Sequence, residues 1–284
     1  MKKLAALLIC IICTLNSAAY EVKDIDGNVF DFEKPPTLAS ITPSVSETVC
    51  ALGMQGNLLG VSRYCEYPAE LKNKPVLGGF IDPDYEKILT MKPKLIILPK
   101  TSDATVRERF KRLGIPCFLI HPDGIENVSK NVLLIGKIFN CEEAAQKIAT
   151  EIEEEIKPVD REERPKALLL FGKMAAGKGS FAGGLLERAG FENIAYKAQK
   201  PWPILSREFI LMNPPDVIIL EVKENETLEK LADELRKDSI WARSPAVKNN
   251  RIYAIDSQTI IVPGPRIIKA SKRLKTILGE CQKN

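Results

Sequence analysis

The run with the most obvious chemical potential is Gly172-Lys-Met-Ala-Ala-Gly177-Lys178. Its Gly-x-x-x-x-Gly-Lys spacing is that of a loop whose backbone N–H groups cradle phosphates while the lysine reaches their outer oxygens. Such loops next place a Ser or Thr hydroxyl on magnesium, but here Gly179 follows and Ser180 comes one step later. The apolar run 217–220 ends at Glu221, where a magnesium-linked Asp would be sought. A P-loop nucleotide-binding enzyme is thus spelled in spacing and not in context. The expected role of the run is a flexible, weakly basic loop at the rim of a cleft.

Other catalytic arrangements lack parts. His121 is the only histidine, so a His general base or a multi-His metal site would depend on it alone. It precedes Pro122 and has no patterned partner. No Gly-x-Ser-x-Gly elbow is present. The separations of Cys50 from Cys65 and of Cys117 from Cys141 are not those of a zinc site, and a Cys50–Cys65 disulfide stays open. The expectation is a protein that is not an enzyme, with no metal and no cofactor.

Binding chemistry is better represented. Aromatic residues are only 6% of the chain, yet Tyr64, Phe80 and Trp202 fall on separate loops that follow strand candidates. Flat apolar faces on several loops suit a broad ligand. The loops carrying Ser44 and Met174 join the same set, as do Arg63, Pro99 and Lys100. Two acids stand apart. Glu86 and Glu208 each follow a helix-start signal and occupy comparable places in the two halves, where the helix dipole favours negative charge. One acid per half suits docking onto a two-fold partner with basic pockets.

The elements that must position these residues alternate. Strands are expected near 38–41, 58–62, 76–78, 95–98 and 117–120, and again near 167–171, 217–220 and 251–255. Ser44 with Glu47 fits a capping box for a helix to about Leu52, and Asp82-Pro83 a helix start with Pro at its first position. Helices are also expected over 104–113, 181–189 and 207–212. Between the halves, Val128, Val132, Ile135, Phe139, Ala145, Ile148, Ile152 and Ile156 recur at helical spacing with one slip near Asn140, until Pro158 stops the pattern. The fold class is therefore α/β: two Rossmann-like lobes with mainly parallel sheets, joined by one long α-helix, with a ligand cleft between them.

At 284 residues the chain can build a large core. Met1-Lys2-Lys3, the apolar run Leu4 to Cys13 and Asn16-Ser17-Ala18-Ala19 read as a secretory signal peptide cleaved near Ala19. The apolar run is too short to span a bilayer. The organisation expected is residues 1–19 as signal, 20–124 as the N-terminal lobe, 125–158 as the connecting helix and 159–284 as the C-terminal lobe. Removing the signal takes away two Lys and no acid, so the net charge falls from +4 to 39 − 37 = +2. That excludes a strong nucleic-acid footprint. The mature protein is expected to be an exported periplasmic monomer, with Cys50, Cys65, Cys117, Cys141 and Cys281 retained.

Taken together, these segments resemble a known family, the periplasmic binding proteins of ABC importers for cobalamin, ferric siderophores and haem. In the first half the resemblance rests on Leu38-Ala-Ser-Ile-Thr-Pro-Ser-Val-Ser-Glu47, Leu59-Gly-Val-Ser-Arg-Tyr-Cys-Glu-Tyr-Pro68 and Gly78-Gly-Phe-Ile-Asp-Pro-Asp-Tyr-Glu86. In the second it rests on Pro201-Trp-Pro-Ile-Leu-Ser-Arg-Glu208, Asn213-Pro-Pro-Asp-Val-Ile-Ile219, Trp241, Arg251-Ile-Tyr253 and Pro263-Gly-Pro-Arg-Ile267. The runs around Tyr64 and Trp202 are most similar to the cobalamin branch. The resemblance implies capture of a corrinoid by Tyr64, Phe80 and Trp202, with Ser44, Met174 and Arg266 at the same site, and delivery to an ABC permease dimer with its ATPase subunits. Glu86 and Glu208 would dock each lobe on that permease, and Trp241 would be structural. Phe80 stands where the family has Trp, Pro99 occupies another aromatic position, the Met174 loop is shorter, and Val262 replaces an Arg. A ferric siderophore or haem is the alternative ligand: a siderophore would call on Arg63, Arg207 and Arg266, and haem on His121 or Tyr64.

Overall fold

The computed structural model describes residues 19–122 and 124–281; the expected signal peptide lies outside the described residues, apart from Ala19. A two-stranded antiparallel ribbon, β1 (Tyr20–Lys23) and β2 (Val29–Phe32), opens the chain. It packs Phe30 on Phe118 of the first lobe, with ring centroids 4.9 Å apart. No ribbon is foreseen from the sequence, because its alternation is too short to stand out.

The first lobe contains β3 (Leu38–Ser40), α1 (Pro43–Ala51), β4 (Leu58–Val61), α2 (Tyr85–Met91), β5 (Ile96–Pro99), α3 (Ala104–Arg112) and β6 (Cys117–Ile120). β3 pairs with β4 and β5 with β6, all parallel, and a Leu38–Leu95 bridge joins the two pairs into one order, β4-β3-β5-β6. The expected strand at 76–78 is reduced to two isolated bridges, Val76 with Val61 and Gly78 with Pro83.

Two helix starts differ from expectation. α1 begins at Pro43, with Thr42 at its N-cap, so Ser44 lies inside the first turn and makes no capping box with Glu47. Glu47 faces inward to a different partner. α2 begins after Asp84, whose side chain accepts from Lys87 N, because Pro83 is tied into the preceding turn by its bridge to Gly78.

The connection is two helices, α4 (Val128–Ile138) and α5 (Glu142–Glu155), and not one. The break has a local cause. Asn140 takes φ 54°, and the N–H groups of Asn140 and Cys141 return to Lys137 O and Gly136 O at 3.2 and 2.8 Å, the two bonds of a Schellman ending. After the turn the helices pack closely enough that a Cβ on Gly136 would lie 2.3 Å from Ala145 Cβ.

The second lobe follows with β7 (Lys166–Phe171), β8 (Met174–Ala175), α6 (Phe181–Arg188), β9 (Glu192–Asn193), α7 (Arg207–Met212), β10 (Val217–Val222), α8 (Leu228–Lys237), α9 (Pro245–Lys248), β11 (Ile252–Asp256), α10 (Ser257–Ile260) and α11 (Ile267–Cys281). Its sheet runs β11-β10-β7 in parallel. Beyond β7 lie β9, parallel, and β8, antiparallel. Leu168, Leu169, Ile218 and Ile219 are fully buried, as strands covered on both faces require. Trp241 packs on one of those faces as expected.

Candidate functional site

Tyr64 and Phe80 project from neighbouring loops of the first lobe. Arg63 N donates to Gly78 O at 2.9 Å, which ties the two loops together, and the Arg63 guanidinium reaches Asp82 at 2.7 Å. Gly79 has no side chain where the Tyr64 ring passes; a Cβ there would lie 2.9 Å from Tyr64 Cε2. Phe80 occupies the turn that Gly78 (φ 84°) opens and Pro83 closes.

Together with Ser44 in the first turn of α1, these residues line a cavity of about 390 Å³. Pro99, Thr101, Ser102 and Glu66 complete the first-lobe side, and Gln258, Ile261, Val262 and Pro263 close it from the second lobe. The cavity is therefore formed between lobes. Gln258 and Ile261 escape sequence reasoning because α10, which follows β11 at its carboxyl end, is only one turn long. The position itself was the available signal.

Ile261 also belongs to an adjoining hollow of about 440 Å³, lined by Phe171, Met174 and Trp202. Tyr64, Phe80, Trp202 and Met174 thus face one continuous cleft, and all four are 42–53% exposed. Large apolar side chains left this open beside well-buried lobe cores form a concave apolar surface of the kind on which ligands bind.

The phosphate-loop spacing has another explanation. Gly172 (φ 57°) and Lys173 form a two-residue turn that folds β8 back onto β7, with Phe171 opposite Met174. The segment is an ordered hairpin, not a flexible loop. Ala175 N donates to Pro203 O at 2.9 Å and Gly177 N to Pro201 O at 2.8 Å, so β8 and the residues just beyond it clamp the backbone on both sides of Trp202. The Phe171 ring meets the Trp202 ring edge-on at 5.1 Å. A Cβ on Gly177 would lie 2.2 Å from Lys200 O, so this glycine allows that close approach. Lys178 Nζ donates to Gln199, Ser180 caps α6 with its own hydroxyl, and Glu221 accepts from Ser257 Oγ at 2.5 Å. The N–H groups of Ala175, Ala176, Gly177 and Ser180 and the Glu221 carboxylate are thus engaged within the fold.

Arg266 is not on the cleft wall. It is buried, and its Nε and Nη2 donate to Glu47 Oε2 and Oε1 at 2.9 and 2.5 Å. The guanidinium also covers the Tyr67 ring at 4.3 Å. Where the sequence suggests a ligand contact, Arg266 lines neither hollow, and the role the structure shows for it is the buried pairing with Glu47. Burial raises the Glu47 carboxyl pKa against the opposing hydrogen bond and charge of Arg266. Arg63 and Arg207 make solvent-exposed ion pairs with Asp82 and Asp238. His121 lies away from the cleft lining; its backbone exchanges hydrogen bonds with Asn131, and burial lowers its pKa.

Glu86 and Glu208 are exposed in the first turns of α2 and α7, behind the caps Asp84 and Ser206. Hydrogen bonds from its own backbone N–H and from Ser206 hold the Glu208 carboxyl below its ordinary value. The five cysteines of the described residues are unpaired thiols.

Two α/β lobes that leave an aromatic cleft between them define a binding protein whose ligand is enclosed from both sides. The chain belongs to the periplasmic binding protein family, whose model matches residues 38–259. It is 26% identical over 253 residues to the vitamin B12-binding protein of Salmonella typhimurium (strain LT2), covering 86% of this chain and 91% of that one. It is 25% identical to the cobalamin-binding protein of Halobacterium salinarum, over 85% of this chain and 69% of its relative. The solved periplasmic haem-binding protein of Vibrio cholerae superposes with a TM-score of 0.72 at 26% identity, covering 85% of this chain and 98% of that chain. The family is one of substrate-binding transport proteins.

Proposed function

We propose that this protein captures a corrinoid of the cobalamin type in the interlobe cleft and hands it to the permease dimer of an ABC importer in the periplasm. The observation that carries this reading is the convergence of Tyr64, Phe80, Trp202 and Met174 on one cleft from both lobes. Exposed aromatic faces and a thioether suit the broad, largely uncharged face of a macrocycle. The cobalamin-binding relatives named above support the choice of ligand. Glu86 and Glu208, one per lobe, would meet arginines of the two permease halves.

The cleft's charge argues against an anionic ferric siderophore. Arg63, Arg207 and Arg266, the arginines such a ligand would use, are each held by a carboxylate. Haem is the second reading, favoured by the haem-binding structural neighbour and by the exposed Tyr64 phenol in the cleft.

Trp202 offers a direct test. In a Trp241→Phe background its fluorescence reports the cleft alone, and cobalamin should quench it saturably. Quenching by haem and not by cobalamin would shift the assignment to the second reading. No quenching by either would remove the cleft assignment.

A further inference from the structure

We propose that docking onto the membrane partner rests on two equivalent Glu-x-x-Leu faces, Glu86 with Leu89 and Glu208 with Leu211, so that each half of a two-fold permease sets a basic side chain beside an apolar pocket. The inference rests on the reading above that this chain delivers its ligand to a permease. It adds an apolar contact, in duplicate, to the acidic one.

The duplication is visible in the chain. Residues 85–98 and 207–220 align without a gap and share Glu, Ile-Leu, Pro and Ile-Ile-Leu at the same places. Each copy is a short helix, a Pro-containing exit and a parallel strand, α2 with β5 and α7 with β10. The burial follows suit. Ile88 and Ile210 are buried, Pro93 and Pro215 are buried, and Leu89 and Leu211 are 44% and 46% exposed.

A single exposed leucine needs no explanation. Two at equivalent positions, each three residues from an exposed glutamate and so on the same helical face, form a repeated surface. Among the described residues neither glutamate is held in an ion pair, so both charges are free for a partner. The faces are not identical: Met212, 82% exposed, widens the second apolar area where the first has Thr90. The two copies lie one on each lobe, so a partner that reads both must itself present its binding feature twice. A basic group alone would give salt-sensitive attraction, whereas an apolar pocket for leucine gives a contact that salt does not screen.

The test uses the full mature chain and its host's importer complex reconstituted in lipid nanodiscs, with affinity measured at low and at high salt. Leu89→Ala and Leu211→Ala should each weaken binding about ten-fold, and the double variant about a hundred-fold, with the salt dependence retained. Glu86→Gln with Glu208→Gln should weaken binding and flatten the salt dependence. All variants should keep the unfolding midpoint of the unmodified chain, because the changed side chains are exposed. If the double leucine variant binds as the parent does while the double glutamate variant fails, the apolar faces are overturned and the delivery reading stands. If the parent itself does not bind the importer, the delivery reading fails and the inference falls with it.

Discussion

Arg266 holds Glu47 with two hydrogen bonds across 219 positions of sequence, joining the start of α11 in the second lobe to the middle of α1 in the first. α1 also carries Ser44, which lines the cleft, so the pair fixes one wall of the site against the opposite lobe. Gly264 comes close to the same helix, where a Cβ would lie 3.4 Å from Glu47 Oε2. Truncating one partner strands a buried charge. Glu47→Ala or Arg266→Ala should each cost about 3–5 kcal/mol, while a paired apolar replacement, Glu47→Leu with Arg266→Met, should cost much less. Guanidinium denaturation of the three variants checks this; single variants as stable as the parent would refute the structural role given to Arg266.

The Tyr64 ring depends on the bare Cα of Gly79. A methyl there would crowd Tyr64 Cε2 at 2.9 Å and Asp82 Oδ1 at 2.8 Å. Both neighbours are side chains that can swing away, so Gly79→Ala should change stability by less than about 1 kcal/mol while lowering ligand affinity several-fold. Calorimetric titration beside thermal unfolding separates the two effects.

Gly177 is a stricter case, because the atom a methyl would meet is the backbone oxygen of Lys200. Gly177→Ala should destabilise by about 1–3 kcal/mol, shift the emission of Trp202 and weaken ligand binding. Lys178→Ala should do none of these. Neither variant nor the parent should bind ATP or GTP in equilibrium dialysis, since the segment is a hairpin and not a phosphate loop.

Burial pushes the thiols of Cys50 and Cys117 up to about 11. At pH 8 a group with that pKa is ionised to about one part in a thousand, and the thiolate is the reactive form. Iodoacetamide should therefore label both slowly in the folded protein and rapidly once the chain is unfolded and their ordinary values return. Mass spectrometry of tryptic peptides gives the comparison; fast labelling of the folded chain would contradict the burial.

Much of the architecture is legible from alternating β-branched runs and helix stops, because both lobes are built on mainly parallel strands whose central members are buried on two faces. Val217 to Leu220 and Leu95 to Leu98 stand out for that reason. The aromatic cleft residues are legible as well, since loops after strands must converge at the carboxyl ends of the sheets. What sequence hides is pairing at a distance. Glu47 looks like a capping acid until Arg266 is placed beside it, and Arg266 looks like a ligand contact until its buried partner is known. Likewise the Gly172 to Lys178 spacing suggests a phosphate cradle, and only the return of β8 along β7 shows a brace for Trp202. The break at Asn140 is written as a slip in periodicity, but its left-handed conformation is what makes two helices of one pattern.

The central claim is that the interlobe cleft selects a corrinoid. Isothermal titration of the purified protein with cobalamin, cobinamide, haem and a ferric siderophore tests it most directly. The account predicts tight, one-to-one binding of cobalamin or cobinamide, weakened strongly by Trp202→Ala, with weaker binding of haem and none of an anionic siderophore. Tight binding of haem or the siderophore with no heat from either corrinoid would contradict it.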